Sequence, residues 1–177
     1  MWDKWKEVLS ELFRNEVDVA GLVETNINWS PLRSRQAINL LRKQFGNGTM
    51  INATSDEPSS SAYKQGGASL LLTGNIIGAI DHGSSDQRGL GRWSYCIIHG
   101  INNIKVVIIT AYQICQDTLT TGMHTAYAQQ YRILRRQNVH NPKPKKIFDN
   151  DLAAQIKQWR NKNYDVLLMI DANTHLL

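Results

Sequence analysis

The chain has 177 residues, a hydrophobic fraction of 42% and a net charge of +5 at pH 7. This length favours a single domain spanning residues 1–177, and the hydrophobic content is enough for a sizeable core. No apolar run approaches the length of a membrane span, and the N-terminus lacks a signal-peptide core. We therefore expect no membrane partner and an intracellular location, the nucleus being one option. The pI near 9.3 favours a polyanionic partner.

The first half of the chain predicts two helices and two strands. Apolar residues at helical spacing indicate an amphipathic first helix, and Ser30-Pro31 is typical of the N-cap and first residue of a second. A stretch rich in Ser, Asp and Gly indicates a loop before the second strand. The predicted elements are a helix over 2–14, a strand over 18–23, a helix from Pro31 to Phe45, a loop over 52–66 and a strand over 68–72.

The second half predicts further strands, two more helices and a final strand. Two hydrophobic stretches flank a short polar turn, which is typical of a hairpin. Two apolar stripes at helical spacing follow, separated by a proline-containing break. The predicted elements are a strand over 76–80, a surface loop over 81–91, paired strands over 93–99 and 104–110, helices around 127–134 and 152–159, and a strand over 165–170. This order predicts α/β sheets covered by helices.

Two of these strands end in an acid with an asparagine two residues later. The segments are Glu24-Thr25-Asn26 and Asp171-Ala172-Asn173. Alternation along an extended backbone places such a pair on one side, and ligands of α/β sheets collect at the carboxyl ends of strands. Carboxylate oxygens suit a hard cation such as Mg²⁺, and an acid beside it can activate water. The pattern by itself favours ordinary turn residues, because Asp and Asn also form turns.

The order of four motifs along the chain favours a functional site over ordinary turn residues. They are Gly21-Leu-Val-Glu24-Thr25, Gly66-Gly67-Ala-Ser-Leu-Leu-Leu72, Val106-Val-Ile-Ile-Thr-Ala-Tyr112 and Ile170-Asp171-Ala172-Asn173. In this order, over nearly the whole chain, the sequence resembles the endonuclease/exonuclease/phosphatase superfamily. That group includes apurinic endonucleases, DNase I-like nucleases and the endonuclease domains of non-LTR retrotransposons. The run from Asp171 to His175 is similar to the Asp-Phe-Asn-Ala-His of the retrotransposon enzymes.

The resemblance implies a DNase I-like four-layer α/β sandwich with two mixed sheets flanked by helices. It implies that Glu24 binds the metal and that Asp171 orients or deprotonates the attacking water. Asn173 and Tyr112 would hold the scissile phosphate. The implied cofactor is Mg²⁺, with Mn²⁺ as an alternative. The implied partner is DNA or another phosphodiester substrate, and the implied activity is that of a DNA endonuclease.

The sequence also departs from the family pattern. Ile170 stands where the family has glycine, and His175 comes too early to be the catalytic histidine. The first strand with its metal-site asparagine and the closing Ser-Asp-His motif are not in the sequence. We therefore expect a fragment, incomplete at both ends and inactive alone. Two alternatives remain: a non-catalytic, nucleic-acid-binding remnant of a retroelement, and a phosphatase of the same superfamily.

Two groups of basic residues have more than one interpretation. The first group is Arg132, Arg135, Arg136, Lys143, Lys145 and Lys146. It is either a solvated surface or a surface that binds a phosphate backbone. The second group, Arg88 and Arg92 beside Trp93, falls in a predicted loop, where base stacking is an option.

Overall fold

Two β-sheets form the centre of the structure, a computed structural model that describes residues 2–115 and 122–173. The three-stranded sheet is antiparallel, in the order β1-β3-β2, and the four-stranded sheet has the order β4-β5-β6-β7, with only β6 and β7 parallel. The strands are β1 (Val19–Val23), β2 (Gly48–Ala53), β3 (Ala68–Thr73), β4 (Ile80–Ser85), β5 (Trp93–His99), β6 (Lys105–Tyr112) and β7 (Asp165–Asp171).

Four α-helices lie on the outer faces of these sheets. Helices α1 and α2 pack on the three-stranded sheet, with Leu9 and Leu41 against Leu71. Helix α4 packs on the four-stranded sheet through Phe148 and Trp159, and α3 lies beside α4. The helices are α1 (Trp2–Arg14), α2 (Pro31–Phe45), α3 (Ala126–Arg136) and α4 (Pro144–Asn161). None of the described helices combines the length and hydrophobicity that crossing a membrane requires.

The inner faces of the two sheets share the central core. Leu70 and Leu72 of β3 pack there against Cys96 of β5 and Ile108 of β6. Each such buried aliphatic side chain contributes about 1.5–3 kcal/mol relative to an exposed one. The four layers therefore run helix, sheet, sheet, helix, which confirms the predicted sandwich architecture. The prediction of two mixed sheets is wrong for the three-stranded sheet, which is antiparallel throughout its described strands.

Alternation along β6 sets the direction of the side chain that ends it. Val107 and Ile109 face helix α4, whereas Ile108 lies in the core between the sheets. Because the period of a strand is two residues, Thr110 and Tyr112 share the face of Ile108. Tyr112 therefore points from the end of β6 toward the three-stranded sheet.

Three sequence predictions for the chain between the second helix and the hairpin are wrong. Residues 74–79 form a 3₁₀ helix where a strand was expected, and β4 occupies the start of the expected surface loop. Strand β2 was not predicted at all, and it takes the first residues of the expected loop over 52–66. Strand β4 lies at a sheet edge and has no apolar side chain after Ile80, so no apolar pattern marks it.

Gly21 marks a close approach between the sheets. A Cβ atom at this position would lie 2.7 Å from Thr110 Oγ1 and 3.0 Å from Met169 Cε. We expect Gly21→Ala to lower the free energy of unfolding by about 1–3 kcal/mol, because overpacking displaces neighbouring side chains. Urea denaturation measures this. The control is Gly78→Ala, since a Cβ there meets no atom within 4 Å. Equal losses in both variants would contradict close sheet contact at Gly21.

Candidate active site at the carboxyl ends of three strands

The ends of β1, β6 and β7 lie at one edge of the sandwich. The Tyr112 hydroxyl at the end of β6 donates a hydrogen bond to Glu24 Oε1, just after β1. Asp171 is the register partner of Tyr112 in the parallel pair β6–β7. Asn173 Nδ2 donates to the Gln113 carbonyl oxygen at 2.8 Å. The structure thus places the four residues predicted from the sequence at the same edge.

The Asp171 side chain faces the same side as the Tyr112 ring. Thr110 and Met169 are register partners, and both approach Gly21 of the opposite sheet. Tyr112 and Asp171 each follow two residues later on their own strands, so alternation directs them to that same face. Among the described residues, the Asp171 carboxylate has no hydrogen-bond or ion-pair partner, which leaves its oxygens available to a ligand.

The loop after β1 holds Glu24 in an uncommon backbone conformation. Glu24 has φ +48° and Asn26 has φ +55°, both in the left-handed region. This region is sparsely populated by residues other than glycine, and such a residue costs about 1–3 kcal/mol. Two hydrogen bonds join Asn26 to Gly66. The Asn26 backbone amide donates to the Gly66 carbonyl, and the Gly66 backbone amide donates to Asn26 Oδ1, each at 2.9 Å. The glycine-started motif before β3 thus fixes the position of Glu24.

Tyr112 is a permanent hydrogen-bond donor in this site. It is only 3% exposed. Burial raises the pKa of its hydroxyl far above the ordinary value, and the hydrogen bond to Glu24 raises it further. The phenol therefore stays protonated at neutral pH and donates to the Glu24 carboxylate, which is exposed.

Gln113 organises this edge, although sequence reasoning missed it. Its backbone amide donates to the Asp171 carbonyl at 2.9 Å, and its carbonyl accepts the hydrogen bond from Asn173. Its buried side chain donates to Asp149 of α4 at 2.7 Å. The signal in the sequence is a polar residue directly after a buried strand. Gln113 therefore ties the loop after β7 to the end of β6.

The oxygen donors at this edge suit a hard cation. Mg²⁺ in proteins is usually held by one or two carboxylates, with water and substrate phosphate completing its shell. Glu24 offers one carboxylate oxygen beyond the one that accepts from Tyr112. Over residues 2–115 and 122–173, no group of three or more His, Cys, Asp or Glu side chains could hold a metal. The donor set fits a cation bound through one or two acids, not a cage made by the protein alone.

Part of the predicted basic segment is neutralised by one acid. Arg132 Nε and Arg136 Nη2 each lie 2.6 Å from the Glu57 carboxylate. The long loop between β2 and β3 is thus attached to α3. Because both guanidinium groups are paired with Glu57, Arg132 and Arg136 are not free to bind a phosphate backbone.

The second basic group is also accounted for, and base stacking by Arg92 and Trp93 is wrong. Arg92 is 1% exposed and forms two hydrogen bonds with Asp86, and Trp93 is buried in β5. Arg92 also pairs with Asp151 at 2.9 Å, as does Arg88 at 2.7 Å. These residues form an ionic network between the loop before β5 and helix α4, which is buried at Arg92 and Asp86 and exposed at Arg88.

The Glu57 ion pairs predict a dependence of stability on pH. Burial alone would raise the pKa of Glu57, but hydrogen bonds from Arg132 and Arg136 outweigh it and hold the pKa below its ordinary value of 4.5. The stabilisation is therefore complete above the pKa of the unfolded chain and is lost as the pH falls through the lower pKa of the folded state. We expect Glu57→Gln to lose about 1 kcal/mol of stability at pH 7 and to converge with the wild type at acidic pH, once Glu57 is protonated in the folded state as well.

Urea denaturation at a series of pH values measures this convergence. Glu7→Gln is the control, because Glu7 is exposed on α1 and has no ion-pair partner among the described residues. A constant difference in stability between Glu57→Gln and the wild type over the whole pH range would contradict the assignment.

Thr174 and His175, the last two residues of the predicted Asp-Ala-Asn-Thr-His motif, lie outside the described residues.

Comparisons with known proteins show the fold. No protein-family model and no curated protein matches the sequence. Among solved structures, the catalytic domain of human Nocturnin with a bound sulfate anion is similar, with a TM-score of 0.51 and 13% identity. The match covers 98% of this chain but only 58% of the Nocturnin chain. The described residues thus have the DNase I-like α/β fold, with two sheets flanked by helices.

Proposed function

We propose that the protein hydrolyses phosphodiester bonds in nucleic acid with the help of a divalent cation, and that DNA is its substrate. The observation that carries this proposal is the meeting of Glu24, Tyr112, Asp171 and Asn173 at one edge of a DNase I-like sandwich. Two acids, an amide and a phenol in this arrangement supply part of the set of groups that phosphoryl transfer requires.

Each residue has a distinct role in the proposed reaction. Glu24 would hold Mg²⁺, with Mn²⁺ as an alternative, and a bound cation would offset charge on the phosphate and lower the pKa of a water molecule. Asp171 would orient and deprotonate the attacking water, because its carboxylate is free of protein partners among the described residues. Tyr112 donates to Glu24, and this contact positions the carboxylate. Asn173 has a second amide hydrogen, which would hold a phosphoryl oxygen.

Two similarities support a phosphate-containing substrate. The catalytic domain of human Nocturnin binds a sulfate anion, and sulfate has the tetrahedral shape of a phosphoryl group. The run Asp171-Ala172-Asn173-Thr174-His175 resembles that of retrotransposon endonucleases. The second similarity supports DNA over small or lipid phosphates.

Plasmid nicking tests the proposal on the gene product at its full encoded length. We expect conversion of supercoiled to nicked plasmid with Mg²⁺ or Mn²⁺, and none in EDTA. The 177-residue chain belongs in the same assay, where we expect no nicking. Phosphate release from a monoester without nicking would favour the phosphatase alternative, and DNA binding without either activity would favour the remnant. Nicking that persists in EDTA would overturn the role of the cation.

A further inference from the structure

Two grooves meet at Tyr63, in the loop before β3. The Tyr63 residue is 60% exposed and lines both grooves. The first, the Glu24 groove, has a volume of about 580 Å³ and is lined by Glu24 of the proposed active site together with residues of α1 such as Trp5. The second, the Met123 groove, has a volume of about 720 Å³. Its walls include Ser59, Ser60, Lys64, Met123, His124 and Arg132. Both volumes fall in the range of sites for small organic groups.

Backbone hydrogen bonds place the Tyr63 segment beside the residues that follow Glu24. Tyr63 forms a β-bridge with Ile27, and the Asn28 amide donates to the Ala62 carbonyl at 2.9 Å. The next residue, Lys64, donates its backbone amide to the Asn26 carbonyl at 3.2 Å. The segment that carries the exposed ring is thus paired with the segment that directly follows Glu24. The exposed ring therefore projects from a held backbone segment as a ridge between the two grooves.

The Met123 groove combines apolar and cationic surface. Met123 is 75% exposed, and its carbonyl accepts a hydrogen bond from Arg132 at 2.7 Å, which fixes this wall of the groove. Lys64 Nζ donates to the carbonyls of Ser55 and Glu57. Lys64, Arg132 and the neighbouring Arg136 place three cations here against the carboxylates of Asp56 and Glu57. Because Arg132 and Arg136 are already paired with Glu57, the match to a nucleic-acid strand rests on the aromatic ridge, which offers a stacking face for a base.

We propose that Tyr63 stacks on an unpaired nucleotide next to the scissile phosphate, and that the Met123 groove receives this nucleotide. This inference rests on the proposed function. It narrows the proposed substrate to nucleic acid that contains an unpaired base. The base must be unpaired, because the face of a base within a duplex is covered by its stacked neighbours. A phosphate held near Glu24 would then lie on one side of the ridge and the base on the other.

Binding of a fluorescein-labelled oligothymidylate in EDTA tests this inference without any cleavage. Fluorescence anisotropy of the full chain should show that Tyr63→Ala weakens binding at least about fivefold, the smallest loss expected when one base–aromatic stack is removed. Tyr63→Phe keeps the ring and should bind within about twofold of the wild type. A duplex of the same length should bind with no dependence on Tyr63, because its bases are already stacked.

The matched control is Ile101→Ala, which removes another exposed apolar side chain, 84% exposed, in the turn before β6. It should leave binding unchanged, and all variants should share the unfolding midpoint of the wild type. Absence of binding by the wild type, equal binding by Tyr63→Ala, or a loss in Tyr63→Phe as large as in Tyr63→Ala would each overturn the stacking role. Tyr63-dependent binding without nicking would support this groove while contradicting the proposed hydrolysis. Nicking together with DNA binding that does not depend on Tyr63 would support the proposed hydrolysis while contradicting the stacking role.

Discussion

In the gene product at its full encoded length, Asp171→Ala should lower the rate of plasmid nicking by about a thousandfold while leaving the fold intact. A positioned acid or base contributes about 10²–10⁴ to such a rate, and a thousandfold loss corresponds to about 4 kcal/mol of transition-state stabilisation. The fold should tolerate the change because the Asp171 carbonyl, which accepts from the Gln113 amide, remains in the variant. Single-turnover nicking with Mg²⁺, on protein whose urea denaturation matches that of the wild type, measures the effect.

Asp165→Ala is the matched control for this prediction. Asp165 is the first residue of the same strand, lies at its opposite end and is exposed. Removing it deletes the same charge from β7 without touching the candidate site, so nicking should stay within about twofold of the wild type. Equal nicking by Asp171→Ala and the wild type would remove Asp171 from the reaction. Equal losses in both variants would point to a general effect of charge on DNA binding.

Local patterns predicted the strands that carry the site. The run from Val106 to Ala111 is almost continuously hydrophobic, which predicts a strand, and the structure shows its side chains alternating between helix α4 and the inner core. Asp171 ends a strand that was recognised for the same reason. The acid-x-Asn segments marked the correct edge of the sheets.

Contacts between distant segments could not be predicted in this way. The hydrogen bond between Tyr112 and Glu24 joins residues separated by 88 positions, and it depends on how closely the sheets approach at Gly21. The pair formed by Arg132 and Glu57 spans 75 positions. No sequence pattern near Arg132 distinguishes an arginine bound to an acid from one exposed to solvent. Periodicity describes each element alone, whereas these contacts arise from packing.

The contact between Tyr112 and Glu24 leads to the second prediction. Glu24→Gln should raise the Mg²⁺ concentration for half-maximal nicking by at least about tenfold. A neutral amide is a poorer ligand for a hard cation, and loss of even an indirect partner of a metal costs about 10- to 100-fold in affinity. Tyr112→Phe should reduce nicking about tenfold at fixed Mg²⁺, since hydrogen bonds to charged groups contribute about 1.5–3 kcal/mol. Nicking measured over a Mg²⁺ titration separates the two effects.

The two substitutions should not be additive. If the Tyr112 hydroxyl acts by orienting the Glu24 carboxylate, then removing it in the Glu24→Gln background has little left to disrupt. The double variant should therefore resemble Glu24→Gln alone, with a coupling energy of about 0.5–3 kcal/mol in the double-mutant cycle. Tyr131→Phe is the control, because Tyr131 lies on α3 and stacks on Tyr127 with ring centroids 6.2 Å apart. Strict additivity would mean that Tyr112 acts independently of Glu24, for example by contacting the phosphate directly, as the family resemblance implies.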